Sequence, residues 1–350
     1  MICASPEIFG PGPTNRVTIT VIVCTYNRCE SLQKALASLA VSAVPDSIEW
    51  EVLVVDNNST DRTRELAEEF CRRYPGRFRH LFEPRQGLSY ARNSGIREAK
   101  GDILAFTDDD VTVEPTWLQN LTACLNEGEW AGAGGRTVLS HPFSPPRWLT
   151  LSGPDNLGYV LAPLFDRGPQ PCVLREVPYG ANMAFRKEMF GKYGFFRTDM
   201  GASPNRDVPG TNEDIEFGGR LMAAGERLRY EPSAILYHPI AEDRVQKPYF
   251  LSRFFDIGRA IVRESEPGPD ILGISRRCFT FLRLISTRLP IEILHWVLTP
   301  NRRHRFHQKC ETWKTVGQIV ESYREWRNSR RQANNVASKE GEHRRRRVRM

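Results

Sequence analysis

The chain has 350 residues, 26% of them charged and 40% hydrophobic, and a formal net charge of +7. Such a composition excludes a fibrous, disulfide-knotted or wholly disordered protein, and the length allows one large domain or two modest ones with a sizeable core. Residues 301–350 hold 15 Lys/Arg against 5 Asp/Glu, so the body before them is net acidic and the basic excess belongs to the tail. A tail of that kind suits an anionic surface, membrane or nucleic acid, or is a solvated end. The eight cysteines show no metal-ligand spacing and fit isolated thiols in a reducing cytosol. The N-terminus lacks the basic and apolar regions of a signal peptide. The longest apolar-rich stretch, Phe279 to Leu298, is interrupted by Arg283, Arg288, Pro290 and Glu292 and is too polar to span a bilayer.

In chain order, residues 1–15 are rich in Pro and Gly and read as disordered. Val17 to Val23 is a β-branched run, a strand buried on both faces. A helix follows with Leu32, Leu36 and Leu39 on one side. Trp50 to Val55 is a second buried strand, ending at Asp56. A helix runs from about Asp61 to Arg73, with Thr60 or Asp61 as its cap. A weaker strand (FRHLFE), a helix (LSYARNSGIREA), a fourth strand (DILAFT) and a helix from about Pro115 to Leu125 complete the alternation. AGAGGRTVL reads as another strand. Residues 141–177, rich in Pro and Gly, read as a long surface excursion. YGANMAFRKEMF reads as a strand entering a helix. Gly210 to Gly225 reads as a helix capped by Thr211 or Asn212, and LRYEPSAILYHP as one or two strands with Pro232 as a break. Beyond Lys247 the pattern is helical, amphipathic and arginine-rich, and residues 329–350 read as a disordered basic tail.

Strands alternating with helices imply βαβ units and a mostly parallel sheet, in which ligands bind outside the carboxyl ends of the strands. Three polar clusters occupy that position: Thr25-Tyr26-Asn27-Arg28, Asp56 with the turn after it, and Asp108-Asp109-Asp110. They come from separate strands and converge on one edge. Carboxylates two apart in extended backbone point the same way, so Asp108 and Asp110 suit one hard cation while Asp109 faces elsewhere; an acidic helix cap is the plainer reading. Asp56 is free to meet a base or ribose. Arg92 suits a nucleotide base or phosphate, or a surface ion pair. Glu213, Asp214 and Glu216 suit either the dipole of a helix's first turn or a general base aimed into a cleft. His238, after a strand, is a structural histidine or a metal ligand.

Taken together, VIVCTYNR, VLVVDNNSTD, GLSYARNSGIREAKGDILAFTDDD, NEDIEFGGRLMAAG and YEPSAILYH resemble, in order and spacing, the family 2 glycosyltransferases of the GT-A fold. The match covers about residues 17 to 260. Asn57 and Asn58 stand where the family's VDDGSTD segment has Asp-Gly. The resemblance implies a Rossmann-like, mostly parallel sheet flanked by helices over residues 16–260, with a nucleotide-binding half (16–127) and an acceptor and base half (128–260). An amphipathic helical extension (261–328) and the basic tail (329–350) follow. It implies an inverting transfer from a nucleotide-sugar to an acceptor hydroxyl, and a Mn2+ or Mg2+ cofactor. The implied metal ligands are Asp110, Asp108 and His238, and the implied base is Asp214 with Glu213 beside it. Thr25, Tyr26, Asn27, Arg28, Asp56, Arg92, Asp108 and Asp109 are the implied nucleotide-sugar contacts.

UDP-sugars are the commonest donors of that family, so a UDP-sugar is the first expectation, with a glycan or lipid-linked acceptor and no nucleic acid. Phe279 to Leu298, with Arg276, Arg277, Arg283 and Arg288 and the polybasic Arg344 to Arg347, suits an anionic membrane interface. The expected location is the cytoplasm, with peripheral attachment to the inner face of the membrane left open. The competing readings are a retaining GT-A transferase, a sugar-nucleotide pyrophosphorylase and a non-catalytic nucleotide-binding protein.

Overall fold

A computed structural model describes residues 17–126, 128–265 and 275–347, with side chains described up to residue 331. The expectation for residues 1–15 lies outside the described residues. Among these, a nine-stranded sheet runs in the order β3-β2-β1-β4-β8-β6-β9-β5, with β7 paired to β9. The strands are β1 (Val17–Thr25), β2 (Ile48–Asp56), β3 (Phe78–Phe82), β4 (Ile103–Asp108), β5 (Thr112–Val113), β6 (Gly132–Leu139), β7 (Cys172–Val173), β8 (Met183–Arg186) and β9 (Leu228–His238). β1 pairs in parallel with both β2 and β4, and β2 with β3. β8 is antiparallel to both β4 and β6, and β9 is parallel to β6. The mostly parallel α/β sheet flanked by helices, with helices at the C-terminus, is the architecture the sequence implied.

The parallel half forms because its strands are apolar on both faces. Val21, Val23, Val52 and Val54 pack on one side with helices α1 (Cys29–Ala40) and α2 (Thr63–Arg73). Ile22, Leu53, Val55, Leu104 and Phe106 pack on the other side with helix α3 (Leu88–Glu98). Each fully buried side chain of this kind contributes about 1.5–3 kcal/mol. Register then fixes the chemistry: Thr25 stands opposite Asp56, and Cys24 opposite Asp108. Helix α4 (Trp117–Asn126) follows β5, a two-residue strand that no periodicity announced.

Four expectations need correction. Of the one or two strands expected, β9 is one, and Pro232 does not break it: it lies in a bulge where the register against β6 jumps from Gly135–Glu231 to Arg136–Ile235. A bulge leaves its extra residues out of the ladder, which is where a strand tolerates proline. Residues 141–177 do not merely skirt the surface. Leu149, Leu157, Val160 and Leu161 are buried against Phe250, Phe254 and Phe306, with Val160 and Leu161 on the short helix α5 (Gly158–Leu161). Asn212 occupies the N-cap position of helix α7 (Glu213–Ala223) in a left-handed conformation (φ 72°), but its amide donates to Glu264 at 2.9 Å instead of capping. The fourth concerns the tail. Residues 329–347 continue helix α11 (Arg302–Arg347); the Ala, Glu, Lys, Arg and Gln in this stretch favour helix. Residues 348–350 lie outside the described residues.

Helix α6 (Lys187–Tyr193) leads away from β8, and helix α8 (Lys247–Glu264) runs through position 260 and lies along α11. The two backbones touch. A Cβ on Gly258 would meet the Lys314 carbonyl at 1.9 Å, and one on Gly317 would meet the Phe255 carbonyl at 2.1 Å. Beside the crossing, Glu321 is buried and accepts from Arg259 Nε at 2.9 Å and Arg263 Nε at 2.6 Å. Helices α9 (Arg276–Arg283) and α10 (Leu289–Leu298), joined by a π-helical turn, pack on α11.

Candidate active site

At the carboxyl ends of β1 and β4 lies a cavity of about 660 Å3, walled by helix α7, the Tyr179–Ala181 turn, α8 and part of residues 141–177. That is within the usual range for small-molecule sites. Thr25, Tyr26, Arg28, Arg92, Asp108, Asp109, Glu213, Asp214 and His238 all line it. Asp56, Asn27 and Asp110 do not, although Asp110 contacts Arg28 and Arg244 of the lining. Asp56 is buried, with Oδ1 accepting from Ser59 N–H at 2.9 Å and Oδ2 3.9 Å from His80 Nε2. Burial opposes its ionisation, but the contacts from His80 and Ser59 outweigh this and hold it below the usual carboxylate range.

Asn27 is a staple between turns. It is left-handed (φ 52°), its Oδ1 accepts from Thr60 N–H at 2.7 Å, and its own N–H donates to Ser59 Oγ. Asp61 continues this tie: one oxygen accepts from Thr63 N–H and the other from Cys29 N–H, so a single carboxylate serves the starts of both α2 and α1. Asn57 lines the cavity and works through both ends of its amide. Nδ2 donates to the carbonyls of Glu83 (3.2 Å) and Arg85 (2.7 Å), and Oδ1 accepts from Gly87 N–H (2.7 Å). Asn58 supplies the left-handed turn (φ 65°) that asparagine tolerates after glycine. Asn57→Asp, which restores the family's commoner residue, sets a carboxylate against two carbonyls. It is expected to cost about 1–3 kcal/mol, read as a lower urea midpoint; an unchanged midpoint overturns the assignment.

On the sheet side Arg28 Nη1 reaches Asp109 Oδ1 (3.0 Å) and Asp110 Oδ2 (3.2 Å). Burial pushes Asp109 up to about 6, and Arg28 opposes that rise. Burial and the neighbouring Asp110 push Asp108 up, against the pull of Arg92. Donor atoms of Asp108, Asp110 and His238 lie within 4.8 Å of one another. His238 is buried; its Nδ1 lies 2.6 Å from the Pro239 carbonyl, which can only accept, so the ring N–H donates there and Nε2 faces Asp110 Oδ1 at 3.7 Å. Asp110 Oδ1 is itself buried without a hydrogen-bond partner. An orphaned carboxylate oxygen beside an oriented imidazole and a second carboxylate fits a divalent cation. Asp109 turns to Arg28 instead.

Across the cavity, Arg92 is buried beneath Gly180. Its Nη1 donates to Glu213 Oε1 at 2.6 Å, and its Nη2 lies 3.9 Å from Asp108 Oδ1. Burial works against its charge, but Glu213, Asp214 and Asp108 more than compensate. Glu213 is pushed up by burial and by Asp214, with Arg92 opposing. Asp214 Oδ2 accepts from Gly180 N–H at 2.6 Å and Oδ1 from Ile215 N–H at 2.9 Å. Each oxygen keeps a second lone pair free for a ligand in the cavity.

Of the lining residues that escaped the sequence reading, two bear on the charged groups. Arg244, on the 3-10 turn Glu242–Val245, has Nη2 3.7 Å from Asp110 Oδ2. Its signal was one arginine six residues after His238, too weak to single out. A side chain at Gly180 would displace Arg92, because a Cβ would lie 2.3 Å from Arg92 Nη2; the YGAN stretch gave no local sign of it. In addition, Asn27, Asn58 and Asn212 are the non-glycine residues with positive φ among the described residues, and each sits in a turn bordering this site. Strained backbone of this kind concentrates at functional sites.

The sequence pattern of Glycosyl transferase family 2 matches residues 20–194, half of the chain. The succinoglycan biosynthesis protein ExoM of Rhizobium meliloti (strain 1021) is 28% identical over 248 residues, which cover 71% of this chain and 75% of that protein. The glucosyl-dolichyl phosphate glucuronosyltransferase of Haloferax volcanii is 28% identical over 247 residues, covering 68% and 74%. The mannosyltransferase PcManGT from Pyrobaculum calidifontis, solved with GDP-Man and Mn2+, is 18% identical and superposes with a TM-score of 0.56 over 90% of each chain, a likeness of fold. The chain therefore belongs to glycosyl transferase family 2 and is a glycosyltransferase of GT-A fold.

Proposed function

We propose that the protein carries out metal-dependent, inverting transfer of a sugar from a nucleotide-sugar to an acceptor hydroxyl during assembly of a surface polysaccharide or lipid-linked glycan. The observation that carries this reading is one cavity with Asp214 on one wall and Asp108 and His238 on the other, and with Asp110 just behind that wall, its donor atom within 4.8 Å of theirs. Asp214 takes the proton of the acceptor hydroxyl as its oxygen attacks the anomeric carbon. The carbon–oxygen bond to the diphosphate breaks on the opposite face, so the configuration inverts. Arg92 and Glu213 hold the helix start that carries Asp214. Arg28 and Arg244 flank Asp110 and are placed to meet the diphosphate. A divalent cation held by Asp108, Asp110 and His238 would offset charge on the departing diphosphate. The imidazole in this set favours Mn2+ over Mg2+.

The PcManGT neighbour was solved with GDP-Man and Mn2+, and UDP-sugars are the commonest donors of the family, so both nucleotides belong in the test. ExoM's role in succinoglycan biosynthesis and the dolichyl phosphate in the Haloferax enzyme's name support a glycan or lipid-linked acceptor. A panel of nucleotide-sugars with Mn2+ is expected to raise the melting temperature for one donor class by linkage. In Asp110→Ala that rise disappears and transfer falls by at least about tenfold, with the loss of one cation ligand. Proton NMR of the first-formed product reads the anomer. Retention of configuration would remove the inverting mechanism.

A second observation favours action at a lipid surface. No helix among the described residues is long and apolar enough to cross a membrane. Yet Leu282, Ile285, Ile291, Leu294, Val297 and Leu298 are exposed on α9, the π-helical turn and α10, beside exposed Arg276, Arg283 and Arg288. Apolar side chains next to arginines match an anionic headgroup layer. The full chain is expected to float with phosphatidylglycerol vesicles, and Ile291→Glu/Leu294→Glu to stay behind. Equal flotation of the two, or none by the wild type, rejects the membrane surface.

A further inference from the structure

Away from the cavity, Asp155 in the 141–177 excursion meets His304 and His307 on the first turns of α11, and their donor atoms lie within 4.8 Å of one another. None of the three lines the cavity. The two imidazoles are one helical turn apart with nearly parallel rings, 6.4 Å between centroids and 9° between planes, so both present Nδ1 to one carboxylate oxygen. His304 Nδ1 is 2.7 Å and His307 Nδ1 3.7 Å from Asp155 Oδ1. Two ligands of a tetrahedral zinc ion, each about 2.0–2.1 Å from it, stand roughly 3.3 Å apart, and the two separations here bracket that value.

A histidine–aspartate ion pair explains His304 but not its neighbour. His307 Nδ1 is buried without a hydrogen-bond partner. The outer shell is also in place. Gln308 Nε2 lies 3.5 Å from His304 Nε2, and rotating that amide by half a turn presents its oxygen to the ring N–H that ligation through Nδ1 leaves there. The nearby cations are turned aside: Arg303 Nε donates to the Arg147 carbonyl and Arg305 Nε to the Thr299 carbonyl. From this geometry we propose a second metal site, in which Asp155, His304 and His307 bind Zn2+ or a similar late first-row divalent ion and leave a fourth position to water. One carboxylate and two imidazoles suit such an ion and not Mg2+ or Ca2+. The ion clips the 141–177 excursion, part of which walls the cavity, to the C-terminal helices.

The test uses the chelator-stripped full chain with excess Mg2+ and measures bound Zn2+ by equilibrium dialysis and elemental analysis. One Zn2+ equivalent is expected to persist in Asp110→Ala. Its affinity should fall by at least about 100-fold in His304→Ala and His307→Gln, beyond the loss that outer-shell changes cause. The His304 side chain is 45% exposed, so its replacement leaves the fold intact, and far-UV circular dichroism checks this. Co2+ added to Asp110→Ala should give the visible absorption of a tetrahedral site, absent in Asp110→Ala/His304→Ala. Zinc binding unchanged by His304→Ala, or no equivalent retained in Asp110→Ala, overturns the site. Loss of transfer activity bears only on the cavity, so the two readings fail separately.

Discussion

Asp214→Asn is expected to lower turnover by about 10²–10⁴-fold while leaving donor affinity within a few-fold of wild type. Asparagine keeps the shape of the carboxylate and can still accept from Gly180 N–H, so the helix start stays in place. In the proposed mechanism, what is lost is the group that takes the acceptor proton. That proposal puts donor binding on the opposite wall, so the thermal response to nucleotide-sugar with Mn2+ should persist. Gly180→Ala tests the same wall by another route: its Cβ would press on Arg92 and lie 3.0 Å from Asp214 Oδ2, and turnover should fall without any change in the base itself. Turnover of Asp214→Asn within tenfold of wild type removes Asp214 from the base role and shifts attention to Glu213, which is buried against Arg92.

Glu321→Ala is expected to cost about 3–5 kcal/mol, the usual result of removing one partner from a buried ion pair. Its two oxygens satisfy Arg259 and Arg263, and Arg259 is almost wholly buried. Arg259 also donates to the carbonyls of Arg206 (3.0 Å) and Asp207 (2.5 Å), which hold the guanidinium in place after the carboxylate is gone. With Glu321 gone, the buried guanidinium keeps only Asp256, 3.3 Å from Nη1, as a counter-ion among the described residues, and the poorer pairing carries the desolvation cost. Removing the arginine as well, in Arg259→Leu/Glu321→Leu, should recover much of the loss, because the cost lies in the poorly paired charge and not in the missing contact. Urea midpoints of the single and double variants measure the difference. Equal loss in both would mean that packing, not charge, governs this seam.

The sequence disclosed most where each residue's environment is local. β1, β2 and β4 were legible because strands buried on both faces read as unbroken apolar runs, and Asp108-Asp109-Asp110 was legible because its position after such a run placed it at a sheet edge. The limits came from contacts between distant segments. β5 and β7 are too short to show a period. Leu149, Leu157 and Val160 are spaced irregularly, and only the arrival of Phe250, Phe254 and Phe306 turns them into a core. Asn27 looks like a ligand residue in TYNR, yet its partners sit 33 and 34 positions later. Asp56 looks free at a strand end, yet His80 and Ser59 close over it. Arg92 read as a nucleotide contact or a surface ion pair, and the helix beginning at Glu213 makes it a buried tie between the two walls.

The paired glycines where α8 crosses α11 have a mechanical consequence. Tyr249, Arg253 and Ile257 of α8 form part of the cavity wall. At Gly258 and Gly317 no side chains cushion the two helices, so backbone bears directly on backbone. Helix α11 extends from Gly317 to Arg347, about 45 Å at 1.5 Å per residue. The crossing is a close backbone contact, with the helix continuing to Arg347 on one side and the cavity wall on the other. A tilt of one degree about it would carry a point about 45 Å along the helix through about 0.8 Å, and Glu321, Tyr323 and Glu325, which tie the turns just beyond the crossing to α8 and α9, oppose such a tilt.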